Sequence, residues 1–190
     1  MELKELLLET GIDLFSKKTY HSTGIREITK KAGVPTGSFH YYFKNKEDFA
    51  LSVLDFYFEK NSNAYSGLLF DSELSAKEKL VKLFTLLMEK YKNETGNMNY
   101  SGCLIGSFGQ DLANESAIIS EKVKNLYDRM IFGIGSLIEL GQSDQSIKTQ
   151  ISPTVLSAFI FDAFEGVLIR RKVDKTNKPF DDFILILNQL

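Results

Sequence analysis

The chain has 190 residues, 43% of them apolar and 25% charged, with a net charge of −2. That suits one or two folded domains and excludes a disordered or low-complexity chain. A single cysteine, Cys103, excludes an intrachain disulfide and any paired-cysteine zinc or redox motif, and two histidines, His21 and His40, leave little for a His-based metal site or triad.

Leu3, Leu7, Gly11, Leu14 and Phe15 share one helical face, with Glu5, Glu9, Asp13 and Lys17 elsewhere, which predicts an amphipathic first helix. Thr23 is placed to cap a second helix running through Ala32, with Ile25 and Ile28 inward and Gly33 as a left-handed stop. The exit of the first helix is open, because the β-branched Thr19 is poorly suited to a left-handed stop. Pro35 suits the first turn of a short third helix ending near Tyr42. Asn45 caps a fourth helix, with Glu47 and Asp48 in its first turn and a stripe of Phe49, Val53, Phe56 and Tyr57 running toward Asn63. Further helices are expected from Ser75 to about Lys92, Gly102 to Ala113 and Glu115 to about Leu140, before a polar loop from Gly141 to Ser152. The stretch Pro153–Lys172 is apolar nearly all round, which predicts burial on more than one side, in a core or against a second subunit. A last helix carries Phe180, Phe183, Ile184 and Leu187. With no strand alternation the fold class is all-α, about nine helices.

The average charge hides an asymmetry. From Leu14 to Lys46, the cations Lys17, Lys18, Arg26, Lys30, Lys31, Lys44 and Lys46 face Glu27 alone, a net of +6, so the remainder of the chain carries −8. Such a block is either a solvated basic face or the electrostatic footprint of a small nucleic-acid-binding head on an acidic body.

The spacing of Thr29, Gly33 and Phe39, at offsets 0, +4 and +10, is that of a helix-turn-helix: a small residue for close approach, a turn glycine and an apolar anchor. The block Thr-Gly-Ile-Arg-Glu-Ile-Thr-Lys-Lys-Ala-Gly-Val-Pro-Thr-Gly-Ser-Phe-His-Tyr-Tyr-Phe-Lys-Asn-Lys-Glu, Thr23 to Glu47, resembles the TetR/AcrR family of transcriptional regulators. Pro35, His40, Thr29 and Thr19 depart from the family's commonest residues. The resemblance implies a helix-turn-helix DNA-binding domain over residues 1–47 and a ligand-binding and dimerisation domain over 48–190.

It also implies that the third helix enters the major groove, presenting Thr36, Gly37, Ser38, Tyr41 and Tyr42, with Gly37 letting the backbone approach DNA. Thr23, His40, Tyr42 and Lys46 match the family's phosphate contacts, and Arg26 could reach phosphate or base. Phe39 and Phe43 are expected in the core; Tyr41 could be structural or a DNA contact. A head this small implies a homodimer, through the last two helices, on a palindromic operator of double-stranded DNA with half-sites about one helical turn apart.

In the body, Phe84, Met88, Tyr91, Cys103, Leu104, Phe108, Tyr127, Met130, Ile131, Phe161 and Glu165 are candidates for an inducer cavity, with ordinary core the more common role of such residues. Asp111, Asp162 and Glu165 interrupt apolar faces. The segment Ser101-Gly102-Cys103-Leu104 resembles that of a family branch of N-ethylmaleimide-responsive repressors, in which this cysteine senses electrophiles or oxidants. Near a helix N-terminus the dipole favours thiolate, and Lys172, or Arg170 and Arg171, could lower the pKa further if the fold brings them near. The alternative is a packed cysteine beside a reversible-ligand pocket.

The expected function is a ligand-responsive repressor, released by a small-molecule inducer or by modification of Cys103. The alternative is a helical small-molecule-binding protein without DNA activity. No cofactor, metal or catalytic residue is expected, since no nucleophile–base pair or metal-ligand spacing is present. No leader or membrane span is visible, which makes the cytoplasm the expected location.

Overall fold

The computed structural model describes residues 2–93 and 102–190. The described residues form nine helices: α1 (Leu3–Lys17), α2 (Ile25–Ala32), α3 (Thr36–Tyr42), α4 (Lys46–Leu69), α5 (Ala76–Asn93), α6 (Leu104–Leu112), α7 (Ala117–Ser143), α8 (Pro153–Asp174) and α9 (Lys178–Leu187). They divide into two compact units, Met1–Ser62 with Cys103–Lys124, and Asn63–Gly102 with Asn125–Leu190. The expected boundary at residue 47 falls inside the first unit.

In the first unit, α1 packs on α2, α2 on α3, and α1 also on α6. α1 buries Leu7, Leu8, Leu14 and Phe15. Their centre is an aromatic cluster in which Phe39, Phe43 and Phe49 lie 4.9–5.3 Å apart and Phe15 stands 6.0 Å from Phe49. Gly11 is the place where α1 and α4 meet: a β-carbon there would lie 2.6 Å from the Phe49 ring and 2.7 Å from Val53. α1 ends at Lys17, with Lys18 extended (φ −136°), so Thr19 needs no left-handed backbone. α6 begins on Cys103, whose Sγ accepts the Gly106 N–H at 3.5 Å, and it buries Leu104, Ile105, Phe108 and Leu112. Ser116 opens α7 by accepting the Ile119 N–H, while its hydroxyl donates to Glu47 of α4 at 2.6 Å. Lys122 pairs with Asp55 of α4 at 2.8 Å.

The second unit rests on α8 and α9, with α5 against α9. Ser75 and Glu78 form a capping box at the start of α5, Ser75 N–H donating to the carboxylate at 2.8 Å and Glu78 N–H to the Ser75 hydroxyl at 3.3 Å. The loop after α7 satisfies the next two amides of that end, through Asp144 and Ser146. Phe84, Phe164 and Phe183 pack mutually at 5.1–5.7 Å. Ser152 caps α8 and Lys175, left-handed at φ 53°, ends it.

The expectation for α8 is refined. It buries Leu156, Ile160, Phe161, Phe164 and Leu168 against its own chain. On another face Val155, Phe159, Ile169 and Val173 stand exposed, at 62%, 65%, 50% and 74%. Joined by the exposed Asp162 and Gly166, they follow alternating steps of four and three, the spacing of a helix–helix seam. α4 also runs past the expected end near Asn63, to Leu69.

Candidate nucleic-acid interface

The turn between α2 and α3 is made by Gly33, left-handed at φ 71°, whose N–H bonds back to Lys30 while Val34 N–H reaches Thr29 O at 2.9 Å. Thr29 is buried and its hydroxyl comes within 3.5 Å of the Thr36 hydroxyl, so the small residue does bring the two helices together. Phe39, fully buried, anchors α3 from below, and Phe43 lies beside it.

What remains of α3 faces outward. Thr36, Gly37 and His40 are exposed, Ser38 and Tyr42 are half-buried, and Tyr41 is 82% exposed. Tyr41 meets Tyr42 edge-on at 4.8 Å. Tyr41 thus occupies no core position. A β-carbon on Gly37 would meet nothing within 4 Å, so the glycine answers no packing demand within the chain.

Thr23 stands apart from the other expected contacts. It is fully buried, and its hydroxyl donates to Thr19 O at 3.1 Å instead of facing solvent. It does not cap α2 either: the N-cap is Gly24, without a side-chain bond. The physical reason is that Thr23 closes the turn after α1, where Thr19 and Ser22 also bond one another. Asn45 does cap α4, accepting the Asp48 N–H at 2.8 Å, while Asp48 accepts the Lys44 N–H.

The local charge also changes meaning. Asp13, just outside the basic block, accepts hydrogen bonds from both Lys17 and Lys31, and Glu27 pairs with Lys18. Burial pushes the Asp13 carboxyl up, but the two ammonium groups outweigh it and hold it below its usual range. Arg26, Lys30 and Lys44 are exposed and have no acidic partner among the described residues. Lys46, half-buried, places its Nζ 4.0 Å from the centre of the Tyr20 ring, and burial lowers its pKa. Exposed cations beside an outward helix carrying hydroxyl, imidazole and phenol groups suit a phosphate-lined groove.

Residues 7–53 match the family described as bacterial regulatory proteins, tetR family. The chain carries a TetR-family N-terminal domain. Similarity extends beyond it. The transcriptional repressor DhaR of Mycobacterium sp. (strain GP1) is 26% identical over 185 residues, covering 97% of this chain and 90% of that protein. The transcriptional regulator AcuR of Cereibacter sphaeroides is 27% identical over 177 residues, covering 93% and 80%. The crystal structure of Escherichia coli NemR in its reduced form matches with a TM-score of 0.90 and 19% identity, covering 100% of this chain and 97% of that one, a likeness of fold. The N-terminal residues are thus similar to the DNA-binding domain of this family, and the chain as a whole is similar to transcriptional regulators.

The expected ligand-wall residues fall in both units. Cys103, Leu104 and Phe108 are buried in the first, where Phe108 packs on Phe15 at 5.1 Å. In the second, Phe84, Met88, Tyr91 and Phe161 are buried, and Tyr127, Met130, Ile131 and Glu165 half-buried. Tyr127 meets Phe161 at 4.9 Å. A groove of about 360 Å³ in the second unit is lined instead by Leu74, Lys77, Glu78, Val81, Lys82, Thr85 and Asn188. Lys172 is exposed on α8, while its neighbour Arg171 is buried, donating to Asn177 and lying 4.9 Å from the Phe180 ring centre. Asp162 is exposed and Asp111 half-buried.

Sequence reasoning missed Tyr20 and Asp13. Tyr20 is an aromatic stranded in a polar turn, a signal available in the sequence. Asp13 lay one residue before the count of the basic block began.

Proposed function

We propose that the protein is a homodimeric repressor that holds a palindromic operator through α3 and lets it go when a small molecule occupies the body. The observation that carries this reading is the outward face of α3, with Thr36, Gly37, His40 and Tyr41 exposed beside Arg26, Lys30 and Lys44. Thr36, Ser38 and Tyr41 read base edges, Gly37 lets the backbone close on the groove, and Arg26, His40, Tyr42 and Lys46 take phosphates. Thr23 supports them from the buried turn. In functional terms residues 1–47 read DNA, and residues 48–190 bind the inducer and dimerise. The exposed stripe on α8, with Leu185 and Ile186 exposed on α9, supports a dimer through the last two helices. An inducer that shifts the equilibrium between two head spacings by ~3–5 kcal/mol releases most operators.

A second route to release runs through Cys103. It sits at the N-terminus of α6, where the helix dipole favours thiolate, and its Sγ accepts an amide of the first turn. An adduct there displaces that bond and crowds a buried site. N-ethylmaleimide is expected to release DNA from the wild-type protein and not from Cys103→Ser. Modified Cys103 with unchanged operator affinity excludes this route and leaves the reversible inducer.

The test of the main reading is selection of duplexes from a random pool by the purified protein. The expected result is an inverted repeat bound with steep salt dependence. A protein that binds small molecules but shows no salt-dependent DNA affinity is instead the non-regulatory helical binder.

A further inference from the structure

Tyr20 lies in the turn between α1 and α2, outside the helix-turn-helix itself. Its ring stacks on Phe15 at 6.0 Å with an interplanar angle of 26°, and meets Phe108 of α6 edge-on at 5.9 Å. The Lys46 ammonium stands 4.0 Å from the centre of the same ring, well inside the ~6 Å reach of a cation–π contact. Lys46 is the first residue of α4, and it makes no ion pair among the described residues. The aromatic ring is therefore what holds this cation. Such a hold differs from a salt bridge. A ring quadrupole fixes the position of an ammonium without supplying an opposite charge, so the full charge stays available to an anion. Lys17, Lys18 and Lys31 of the same head are held by carboxylates and have lost that availability.

We propose that Tyr20 is a positioning residue for DNA binding: its ring, packed against both Phe15 and Phe108, holds the Lys46 ammonium at the start of α4 ready for a backbone phosphate. This rests on the reading of Lys46 as a phosphate contact. The ring itself is uncharged at neutral pH, since burial and the nearby Glu47 carboxylate both raise the Tyr20 pKa above its usual value. Phenylalanine at this position keeps the quadrupole; leucine fills similar space without it.

The experiment measures operator affinity as a function of salt for the full-length wild type, Tyr20→Phe, Tyr20→Leu, Lys46→Ala and Tyr20→Leu/Lys46→Ala. Lys46→Ala is expected to reduce the slope of log affinity against log salt by about 2, one phosphate lost from each of two protomers. Tyr20→Phe stays within about twofold of wild type, and Tyr20→Leu loses about 5- to 30-fold, the loss of two such contacts. In the Lys46→Ala background Tyr20→Leu costs nothing further. An unchanged slope in Lys46→Ala overturns the phosphate reading and the proposal with it. A normal Lys46→Ala loss with unchanged or tighter binding by Tyr20→Leu, or with fully additive losses, overturns the role of Tyr20 alone. Should Tyr20→Leu not fold, the wild type carries the test: the Lys46 ε-methylene protons are expected to be shifted upfield by the ring current. Unshifted resonances overturn the proposal.

Discussion

Truncating Phe159 to alanine tests the α8 seam at its largest exposed side chain. Phe159 is 65% exposed in the single chain and stands one helical turn from Val155. Complete burial of such a side chain contributes ~1.5–3 kcal/mol, so covering the exposed two-thirds contributes ~1–2 kcal/mol. A two-fold interface contains two copies, and the pair therefore contributes ~2–4 kcal/mol to dimerisation. Phe159→Ala is expected to raise the dimer dissociation constant by about 30- to 900-fold. The variant leaves the buried face of α8 intact, since that face is formed by Leu156, Ile160, Phe161, Phe164 and Leu168. Sedimentation velocity over a dilution series reads the constant, and far-ultraviolet circular dichroism checks that helix content is retained. Operator binding falls in parallel, because one head alone holds half a site. An unchanged dissociation constant refutes the argument and moves the interface elsewhere on the chain.

Three other substitutions separate folding from recognition. Gly37→Ala adds a β-carbon that touches nothing and replaces a glycine in the first turn of α3. It is expected to leave stability unchanged or raise it by at most about 0.5 kcal/mol in urea unfolding while weakening operator affinity, since the backbone there is read as approaching DNA. Gly11→Ala drives its β-carbon into the Phe49 ring and Val53, both fully buried, and is expected to cost about 1–3 kcal/mol with no change in the DNA-facing residues. Asp13→Asn addresses pH. The native Asp13 pKa is depressed, so its contribution, at most ~1 kcal/mol for so exposed a pair, is present above pH ~4 and lost as pH falls through the lowered pKa. The stability difference between wild type and Asp13→Asn is expected to be constant from pH 7 to 5 and to shrink below 4; a difference that grows on acidification contradicts it.

The head was legible in the sequence because its determinants are local. Gly33 needs a left-handed turn, Asn45 needs only the amide three residues on, and Phe39 needs only the core beneath one short helix. Long-range pairing was not legible. Asp13 reaches Lys31 across 18 positions, and the apparent basic surplus shrinks accordingly. Thr23 illustrates a related limit, since the residue type of a good N-cap also closes turns, and the backbone around Thr19 decides between them. In α8 the apolar residues on both faces are one signal in the sequence; folding separates them into a face spent on Phe84 and Phe183 and a face left exposed. The wall of an inducer site was least legible, because the residues that line such a site are those that fill a core. Phe84 and Phe108 each sit in an aromatic cluster of their own unit.

The most direct test of the whole account is fluorescence anisotropy of the protein on its selected inverted repeat and on a scrambled duplex of equal length, across a range of salt. The account predicts two protomers per duplex at saturation, a strong preference for the repeat, and an affinity that falls steeply as salt rises. Equal binding to the two duplexes, or binding insensitive to salt, contradicts it.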